Sequence, residues 1–236
     1  KLRDSLLVFI TAEIGVNWDG NFELAEKMML DAKNANCDAV KFQAFNEKMV
    51  KDHPEKNRLL KTSISKENIE QINSISKKIG IEWYCTPMYQ EAIDFLDPFV
   101  NRYKIRYGDS LNLHNKINST LVSKILETGK ETIISSQKSP KNLQNYNNVK
   151  WLYVVPKYPC SIDELDFSYL SDFDGYSNHC LDYLAPLSAV ILGAKMIEIH
   201  VTSDKNKNFV DNSVSFDPEE VSTLVNLIRR LEKLQR

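Results

Sequence analysis

Short apolar runs alternate with segments of helical periodicity along the whole chain of 236 residues. Eight runs have the length and the β-branched or aromatic content of buried strands, and they lie at residues 6–11, 39–45, 81–85, 102–105, 132–135, 151–155, 174–176 and 196–200. Repeated strand–helix units of this number, in a chain near the roughly 250 residues typical of α/β barrels, predict a closed barrel. We therefore expect a single-domain (β/α)8 TIM barrel over residues 1–236, with an open parallel sheet as the alternative.

Six segments between these runs carry apolar residues at spacings of three and four, as one face of a helix does. They lie at residues 22–35, 66–78, 113–126, 163–170, 182–192 and 218–234. Ser65 is a predicted N-cap for the second helix, and Asp217 with Pro218 starts the last. The crossovers after the third and fifth strands are short. The polar stretch 46–63 predicts a long loop at the barrel rim.

Charge and hydropathy narrow the class of partner. Lysine and arginine number 30 against 32 acidic residues, and the net charge of -2 does not indicate nucleic acid or an anionic membrane. No apolar run approaches the roughly 20 residues of a membrane span, and the first residues lack a secretion-signal cleavage site. The four cysteines show no CxxC spacing, which favours buried, reduced thiols and a cytoplasmic protein.

Two histidines, His179 and His200, close the seventh and eighth strand-like runs, with one helical segment between them. A strand–helix–strand unit places its strands parallel and adjacent, so both imidazoles are expected at the carboxyl edge of the sheet. Barrels carry their chemistry at that edge. Two neutral imidazoles there could bind a divalent metal, and the alternative is two unrelated polar strand ends.

Further polar side chains stand at the ends of strands that should be apolar on both faces. Lys41 and Gln43 share one side of the second strand, and a lysine that points into a barrel is costly unless an anion meets it. Glu198 shares a face with His200, where it could orient an imidazole or satisfy another polar group. Such residues also follow the other strands: Glu13, Thr86, Lys104, Arg106, Asp109, Ser135, Tyr158 and Ser177. Each alone has a structural explanation, but together they predict an anionic small substrate beside a metal.

The chain resembles the catalytic barrel of the sialic acid (N-acetylneuraminate) synthases at seven segments, in order: AEIGVN at 12–17, DAVKFQ at 38–43, CTP at 85–87, YKI at 103–105, YP at 158–159, GYSNH at 175–179 and IEIHVT at 197–202. These enzymes and their legionaminate, pseudaminate and spore-coat relatives condense phosphoenolpyruvate with an amino sugar. The resemblance implies a TIM barrel with a divalent cation, commonly Mn²⁺, with Mg²⁺ or Co²⁺ as alternatives. The amino sugar would be N-acetylmannosamine or a related hexosamine.

The resemblance also implies roles for single residues. It implies metal ligands at His179 and His200. It implies phosphoenolpyruvate contacts at Lys41, Thr86, Lys104, Ser135 and Ser177. It implies sugar contacts at Gln43, Tyr158 and Asp211. It implies catalytic groups at Glu13, Asp109 and Lys104. In that reaction the metal polarises the sugar aldehyde, the third carbon of phosphoenolpyruvate attacks it, water adds at the second carbon, and phosphate leaves.

Several turns depart from the family pattern. The family's Gly-Ser-Gly-Glu turn after the fourth strand is here Arg-Tyr-Gly-Asp at 106–109, so that Tyr107 replaces a serine. Gln137 and Pro156 replace a glycine and an asparagine, and Trp18 replaces a histidine. The sequence also stops before the family's small antifreeze-like C-terminal domain, which gives an arginine to the partner subunit's sugar site. The acceptor and a possible homodimer therefore stay open.

The leading hypothesis is a phosphoenolpyruvate-dependent nonulosonate synthase for surface polysaccharide. One alternative is a related barrel aldolase or synthase with a different acceptor, since Arg106 could suit an acceptor with its own phosphate or carboxylate. The other is a non-catalytic sugar-binding or anion-binding homologue. The altered turns at Tyr107, Gln137 and Pro156 favour that alternative, and the retained histidines and lysines oppose it.

Overall fold

Eight parallel strands close into a barrel in the computed structural model, which describes residues 7–143 and 146–234. The strands are β1 Phe9–Gly15, β2 Ala39–Ala44, β3 Glu82–Pro87, β4 Arg102–Ile105, β5 Glu131–Ser136, β6 Val149–Tyr153, β7 Gly175–Asn178 and β8 Met196–Val201. They pair in chain order, and β1 also pairs with β8, which closes the sheet. The predicted (β/α)8 barrel is confirmed, and the open-sheet alternative is wrong. A two-residue strand, β9 (Ser215–Phe216), extends from β8.

The helices lie between the strands on the outside of the barrel. They are α1 Phe22–Asn34, α2 Glu47–Val50, α3 Lys56–Thr62, α4 Ile69–Ile79, α5 Ala92–Leu96, α6 Tyr107–His114, α7 Thr120–Glu127, α8 Leu184–Ile191 and α9 Pro218–Leu234. Among the described residues, three 3₁₀ helices complete the connections: Ile162–Glu164, Phe167–Asp172 and Asn212–Val214. The crossover after β3 holds only the five-residue α5. No helix lies in the described part of the crossover after β5, so both predicted short crossovers are confirmed.

Three predictions about the connections are wrong. The helix predicted at 113–126 is two helices, because Lys116 adopts a left-handed φ of 55° and the Ser119 side chain caps α7 by accepting from Val122 N. The helix predicted at 163–170 is two 3₁₀ turns, the first closed by a capping box between Ser161 and Glu164. The predicted loop 46–63 contains α2 and α3.

The ends of the predicted strands and helices shift by a few residues. β1 runs to Gly15 instead of ending at residue 11, and the predicted start at Leu6 lies outside the described residues. The helix predicted at 66–78 begins at Ile69, because Ser65 and Asn68 form a capping turn before it, in which Ser65 N donates to Asn68 Oδ1 at 2.9 Å. The longer β1 carries Glu13 inside the barrel sheet.

An apolar core fills the space between the strands and the helices. Trp18 is fully buried in it, donates from Nε1 to Thr62 O at 2.9 Å, and packs against Phe22 and Phe42. The position at which the resemblance predicts a histidine therefore serves packing here. The four cysteines are buried and free, as predicted. No helix among the described residues combines the length and hydropathy needed to cross a membrane.

Gly175 opens β7 where β8 leaves no room for a side chain. A Cβ there would lie 2.0 Å from Met196 O and 2.8 Å from Met196 Cβ. We expect Gly175→Ala to lower the free energy of unfolding by about 3 kcal/mol, because overpacking forces the two strands apart. Urea denaturation measures this. Gly108→Ala in α6, where nothing lies within 4 Å of the added Cβ, is the matched control. Equal unfolding midpoints for the two variants would contradict the tight β7–β8 contact.

Candidate active site

A cavity of about 340 Å³ opens at the carboxyl end of the barrel. Its wall brings together all but one of the predicted site residues: Glu13, Lys41, Gln43, Thr86, Lys104, Ser135, Tyr158, Ser177, His179, His200 and Asp211. These side chains come from seven strands or the loops that follow them, plus Tyr158 from the loop after β6. Strand register explains the convergence, because Glu13 stands opposite Lys41 of β2 and also opposite His200 of β8.

Asp109 is the predicted residue that the structure does not bring to the cavity wall. Its Oδ2 accepts from Arg106 Nε at 2.7 Å, within the first turn of α6. Arg106 itself lines the cavity, together with Tyr107 and Pro156. Two of the three altered turns therefore face the proposed substrate space, and Gln137 does not.

Lys41 points into the barrel, as the alternation of β2 predicts. Its Nζ lies 3.2 Å from Glu13 Oε1 and 3.6 Å from Glu198 Oε2, and it donates to Thr86 Oγ1 at 3.1 Å. Lys41 is 5% exposed, so its buried ammonium must be stabilised by the two carboxylates and by any anion that binds in the cavity.

Glu198 is the residue whose partners the sequence did not identify. Lys104 Nζ donates to both of its carboxylate oxygens at 2.8 Å, and Ser177 Oγ donates to Oε1 at 2.9 Å. Of the two roles considered for Glu198, satisfying another polar group is therefore correct. The pairing register of β7 and β8 indicates one of these partners, because Glu198 lies opposite Ser177 in the sheet.

The two buried carboxylates of this cluster have opposite pKa shifts. Burial raises the pKa of Glu13, and Lys41 opposes that shift without cancelling it. Burial acts in the same direction on Glu198, but Lys104 and Lys41 outweigh it and hold its pKa well below the usual range. Such a divergence assigns proton transfer to one group and permanent charge to the other. Glu13 fits the acid–base role, and its Oε2 is buried with no hydrogen-bond partner among the described residues.

The two lysines differ in the same way. Burial lowers the pKa of Lys104 to about 8, although Glu198 opposes the shift. Burial also acts on Lys41, but Glu13 and Glu198 outweigh it and raise its pKa. Near pH 7 both lysines are therefore charged, and Lys104 is the one that loses its proton first.

The two imidazoles face the same space. Their ring centroids lie 5.4 Å apart, and the Tyr158 ring lies 4.0 Å from His179. His179 Nδ1 donates to Val155 O at 2.8 Å, which fixes the tautomer and leaves Nε2 free as a lone-pair donor. His200 Nδ1 is buried with no hydrogen bond to any described residue, and Asp211 Oδ2 lies 3.7 Å from it.

Both histidines are held neutral, the form in which imidazole binds metals. Burial lowers the pKa of His179 to about 4, and burial with the neighbouring His179 and Lys41 takes the pKa of His200 well below its usual value. Within residues 7–143 and 146–234, no group of three or more His, Cys, Asp or Glu is arranged to hold a metal. The candidate ligands for a cation are therefore the two imidazoles, and water or substrate oxygens would have to supply the others.

Glu13, Gln43 and Asp211 meet beside Gly15. A Cβ built on Gly15 would lie 3.2 Å from Gln43 Nε2, 3.2 Å from Glu13 Oε1 and 3.5 Å from Asp211 Oδ2. Gln43 Nε2 donates to Glu13 Oε1 at 2.7 Å. Asn17, which the sequence reasoning did not single out, accepts from Asp211 N at 3.0 Å and so positions that residue. A polar corner thus forms at β1, β2 and the loop after β8.

Known proteins resemble this chain over nearly all of its length, and the chain spans about 70% of the curated relatives. The model of the NeuB family matches residues 28–236. An uncharacterized protein of Methanocaldococcus jannaschii is 32% identical over 96% of this chain and 71% of its own. An N,N'-diacetyllegionaminic acid synthase of Legionella pneumophila is 30% identical over 97% of this chain and 73% of its own. The crystal structure of the N-acetylneuraminic acid synthetase of Leptospira borgpetersenii superposes with a TM-score of 0.84, at 26% identity, over 97% of this chain and 85% of that one.

The family match spans all the predicted site residues except Glu13, which β1 carries into the same cavity. The sequence comparisons and the overall fold agree. The chain belongs to the NeuB family, the family of the sialic-acid-type synthases.

Proposed function

We propose that the protein condenses phosphoenolpyruvate with the aldehyde of an open-chain amino sugar, such as N-acetylmannosamine, and releases phosphate. The product is a nonulosonate, a sialic-acid-like sugar acid for surface polysaccharide. The observation that carries the proposal is the pairing, in one cavity, of two buried lysines with two neutral histidines. The family's other members support it, because a sialic acid synthetase and a legionaminic acid synthase share this barrel.

The lysines and hydroxyls form the half of the cavity suited to phosphoenolpyruvate. Lys41 and Lys104 would bind its phosphate and carboxylate by charge, and Thr86 and Ser135 would donate hydrogen bonds. Ser177 would contact it by turning its one hydroxyl proton from Glu198 Oε1 to the ligand. Ser135 Oγ is buried and has no hydrogen-bond partner among the described residues. An unpaired buried hydroxyl is costly, and a ligand oxygen would remove that cost.

The polar corner forms the half suited to the sugar. Gln43, Asp211 and Tyr158 would hold its hydroxyl and amide groups, and Glu13 would transfer a proton at the aldehyde oxygen or the attacking water. A divalent cation held by His179 and His200, Mn²⁺ or else Mg²⁺ or Co²⁺, would supply Lewis-acid polarisation of the aldehyde.

The new carbon–carbon bond would form between the third carbon of phosphoenolpyruvate and the aldehyde carbon of the sugar. Water then adds at the second carbon, and the carbon–oxygen bond to phosphate breaks.

Asp109, the third predicted catalytic group, would act only through Arg106, to which it is paired. Tyr107 and Pro156 on the cavity wall favour one second candidate, a barrel synthase of the same type with a different acceptor. Both candidates require a charged Lys104 and a neutral histidine pair.

Phosphate release tests the proposal. Purified protein with Mn²⁺ and phosphoenolpyruvate is expected to release inorganic phosphate when an N-acylmannosamine is added. The product should be a sugar acid whose carbon chain is three carbons longer than that of the acceptor. Release with another aldose alone would favour the second candidate. No release across a panel of aldoses, with phosphoenolpyruvate still bound in calorimetry, would identify a non-catalytic homologue.

The pKa of Lys104 predicts a pH dependence. Since burial lowers that pKa to about 8, the ammonium is charged below this pH and neutral above it. The second pKa of a phosphate ester lies near 6, so the substrate charge is constant across this range. We expect kcat/KM for phosphoenolpyruvate to fall as the pH rises through about 8, because this ratio reports groups of the free enzyme.

Lys104→Arg is the control, since a guanidinium keeps its charge at any pH of the assay. Its kcat/KM profile should stay level where the wild-type profile falls. A wild-type profile that stays level well above pH 8, or an identical fall in the arginine variant, would contradict this assignment.

A further inference from the structure

The cavity has one apolar wall that the proposed chemistry does not use. Val16, Leu59, Met88 and Val210 line it, and they pack with Phe45 and Val50 in a small cluster separate from the main core. We call these four lining residues the apolar wall. They come from the loops after β1, β3 and β8 and from helix α3.

The apolar wall adjoins the polar corner of Glu13, Gln43 and Asp211. Val16 follows Gly15, beside which those three side chains meet, and Val210 directly precedes Asp211. The wall therefore borders the half of the cavity assigned to the sugar, and Lys104 and Ser135 stand on other strands, β4 and β5. A ligand group that contacts Val16 or Val210 therefore lies on the acceptor side of the cavity.

The wall is fixed in place before any ligand binds. Arg58, next to Leu59, donates to both oxygens of Asp19 at 2.7 and 2.8 Å, to Glu55 Oε2 at 2.8 Å and to Asn208 O at 2.6 Å. These bonds join α3 to the loops after β1 and β8, which carry Val16 and Val210. Leu59 is only 6% exposed, so the surface is packed and shaped.

None of the described cations that line the cavity is left for a phosphate on the acceptor. Lys41 and Lys104 are assigned to phosphoenolpyruvate, and Arg106 is paired with Asp109. Arg58 is paired with Asp19 and Glu55. A charged group pressed against Val16, Leu59 and Val210 would lose its hydration without compensation.

We propose that the apolar wall selects an acceptor sugar by its uncharged acyl group and rejects a phosphorylated one. This inference rests on the proposed function. The acyl methyl would pack on Leu59 and Val210, and the amide would reach the polar corner. In an apolar pocket, kcat/KM for two substrates that differ by one methylene differs by roughly 10-fold or more. We therefore expect effects of that size.

The test uses N-acetyl-, N-propanoyl- and N-butanoylmannosamine and N-acetylmannosamine 6-phosphate as acceptors. With wild-type protein, kcat/KM is expected to fall from acetyl to butanoyl and to be lowest for the phosphorylated sugar. Leu59→Ala should raise the butanoyl-to-acetyl ratio roughly 10-fold, through KM, by opening space. Val210→Ala gives the same test should Leu59→Ala not fold.

Val50→Ala is the matched control, because Val50 packs in the same cluster without lining the cavity. Its acyl-length ratio should equal that of the wild type. An unchanged ratio in both wall variants, or a higher kcat/KM for the phosphorylated sugar than for N-acetylmannosamine, would overturn the inference while leaving the condensation itself intact. Absence of phosphate release with every acceptor would instead refute the proposed function and the inference with it.

Discussion

His200→Ala is expected to lose Mn²⁺ binding and to lower kcat by roughly 1,000-fold or more. The reason is that His179 and His200 are the two imidazoles among the described residues that line the cavity, so removal of one leaves a single imidazole to hold the metal. A metal that polarises a carbonyl supplies several kcal/mol of transition-state stabilisation, and about 4 kcal/mol corresponds to that loss in rate. Titration calorimetry, with the paramagnetic resonance signal of free Mn²⁺, measures binding independently of turnover.

The matched control is His53→Ala, because His53 is exposed and lies outside the cavity. Its Mn²⁺ affinity and its turnover should equal those of the wild type. Circular dichroism should show that the His200 variant keeps its barrel, since His200 lines the cavity and its Nδ1 makes no hydrogen bond to any described residue. Wild-type Mn²⁺ affinity in His200→Ala would refute the ligand assignment.

Lys104→Met is expected to raise KM for phosphoenolpyruvate roughly 100-fold and to lower the free energy of unfolding by about 3–5 kcal/mol. Both effects follow from its pair with Glu198, whose two oxygens accept from Lys104 Nζ at 2.8 Å. Removal of one partner leaves a buried carboxylate without its main counter-ion, and removes a charge that the substrate anion needs. Steady-state kinetics and urea denaturation measure the two effects.

A double variant separates stability from binding. Lys104→Met with Glu198→Gln removes the unpaired charge, and Ser177 can still donate to the amide oxygen. We expect this variant to recover most of the lost unfolding free energy and none of the lost phosphoenolpyruvate affinity. Recovery of both would mean that Lys104 serves the fold alone. Recovery of neither would mean that Glu198 is not its counter-ion.

The barrel could be predicted from the sequence because strands buried on both faces give continuous apolar runs. The burial of both strand faces also marks the candidate site, since Lys41 and Lys104 interrupt runs that packing alone would keep apolar. The parallel order of the strands then predicts that His179 and His200 lie at one edge of the sheet. These arguments need only the strand period and the direction of the chain.

The remaining features depend on contacts between distant residues, which no local pattern contains. Glu198 became the counter-ion of Lys104 through barrel closure, 94 residues apart in sequence. The break between α6 and α7 depends on a single left-handed residue, Lys116, and a capping serine inside one continuous apolar pattern. Asp109 pairs with Arg106 because Arg106 is the N-cap residue of α6 and Asp109 lies in the first turn of that helix. The apolar wall was equally hidden, since its members are single residues on three loops and one helix.

The central claim is that one cavity holds a cation on two imidazoles and an enol ester on two lysines. A crystal structure of the protein grown with Mn²⁺ and phosphoenolpyruvate tests it most directly. We predict an anomalous scattering peak in contact with His179 and His200, and phosphoenolpyruvate density in contact with Lys41 and Lys104. A manganese peak away from both histidines, or phosphoenolpyruvate bound outside the barrel mouth, would contradict the account.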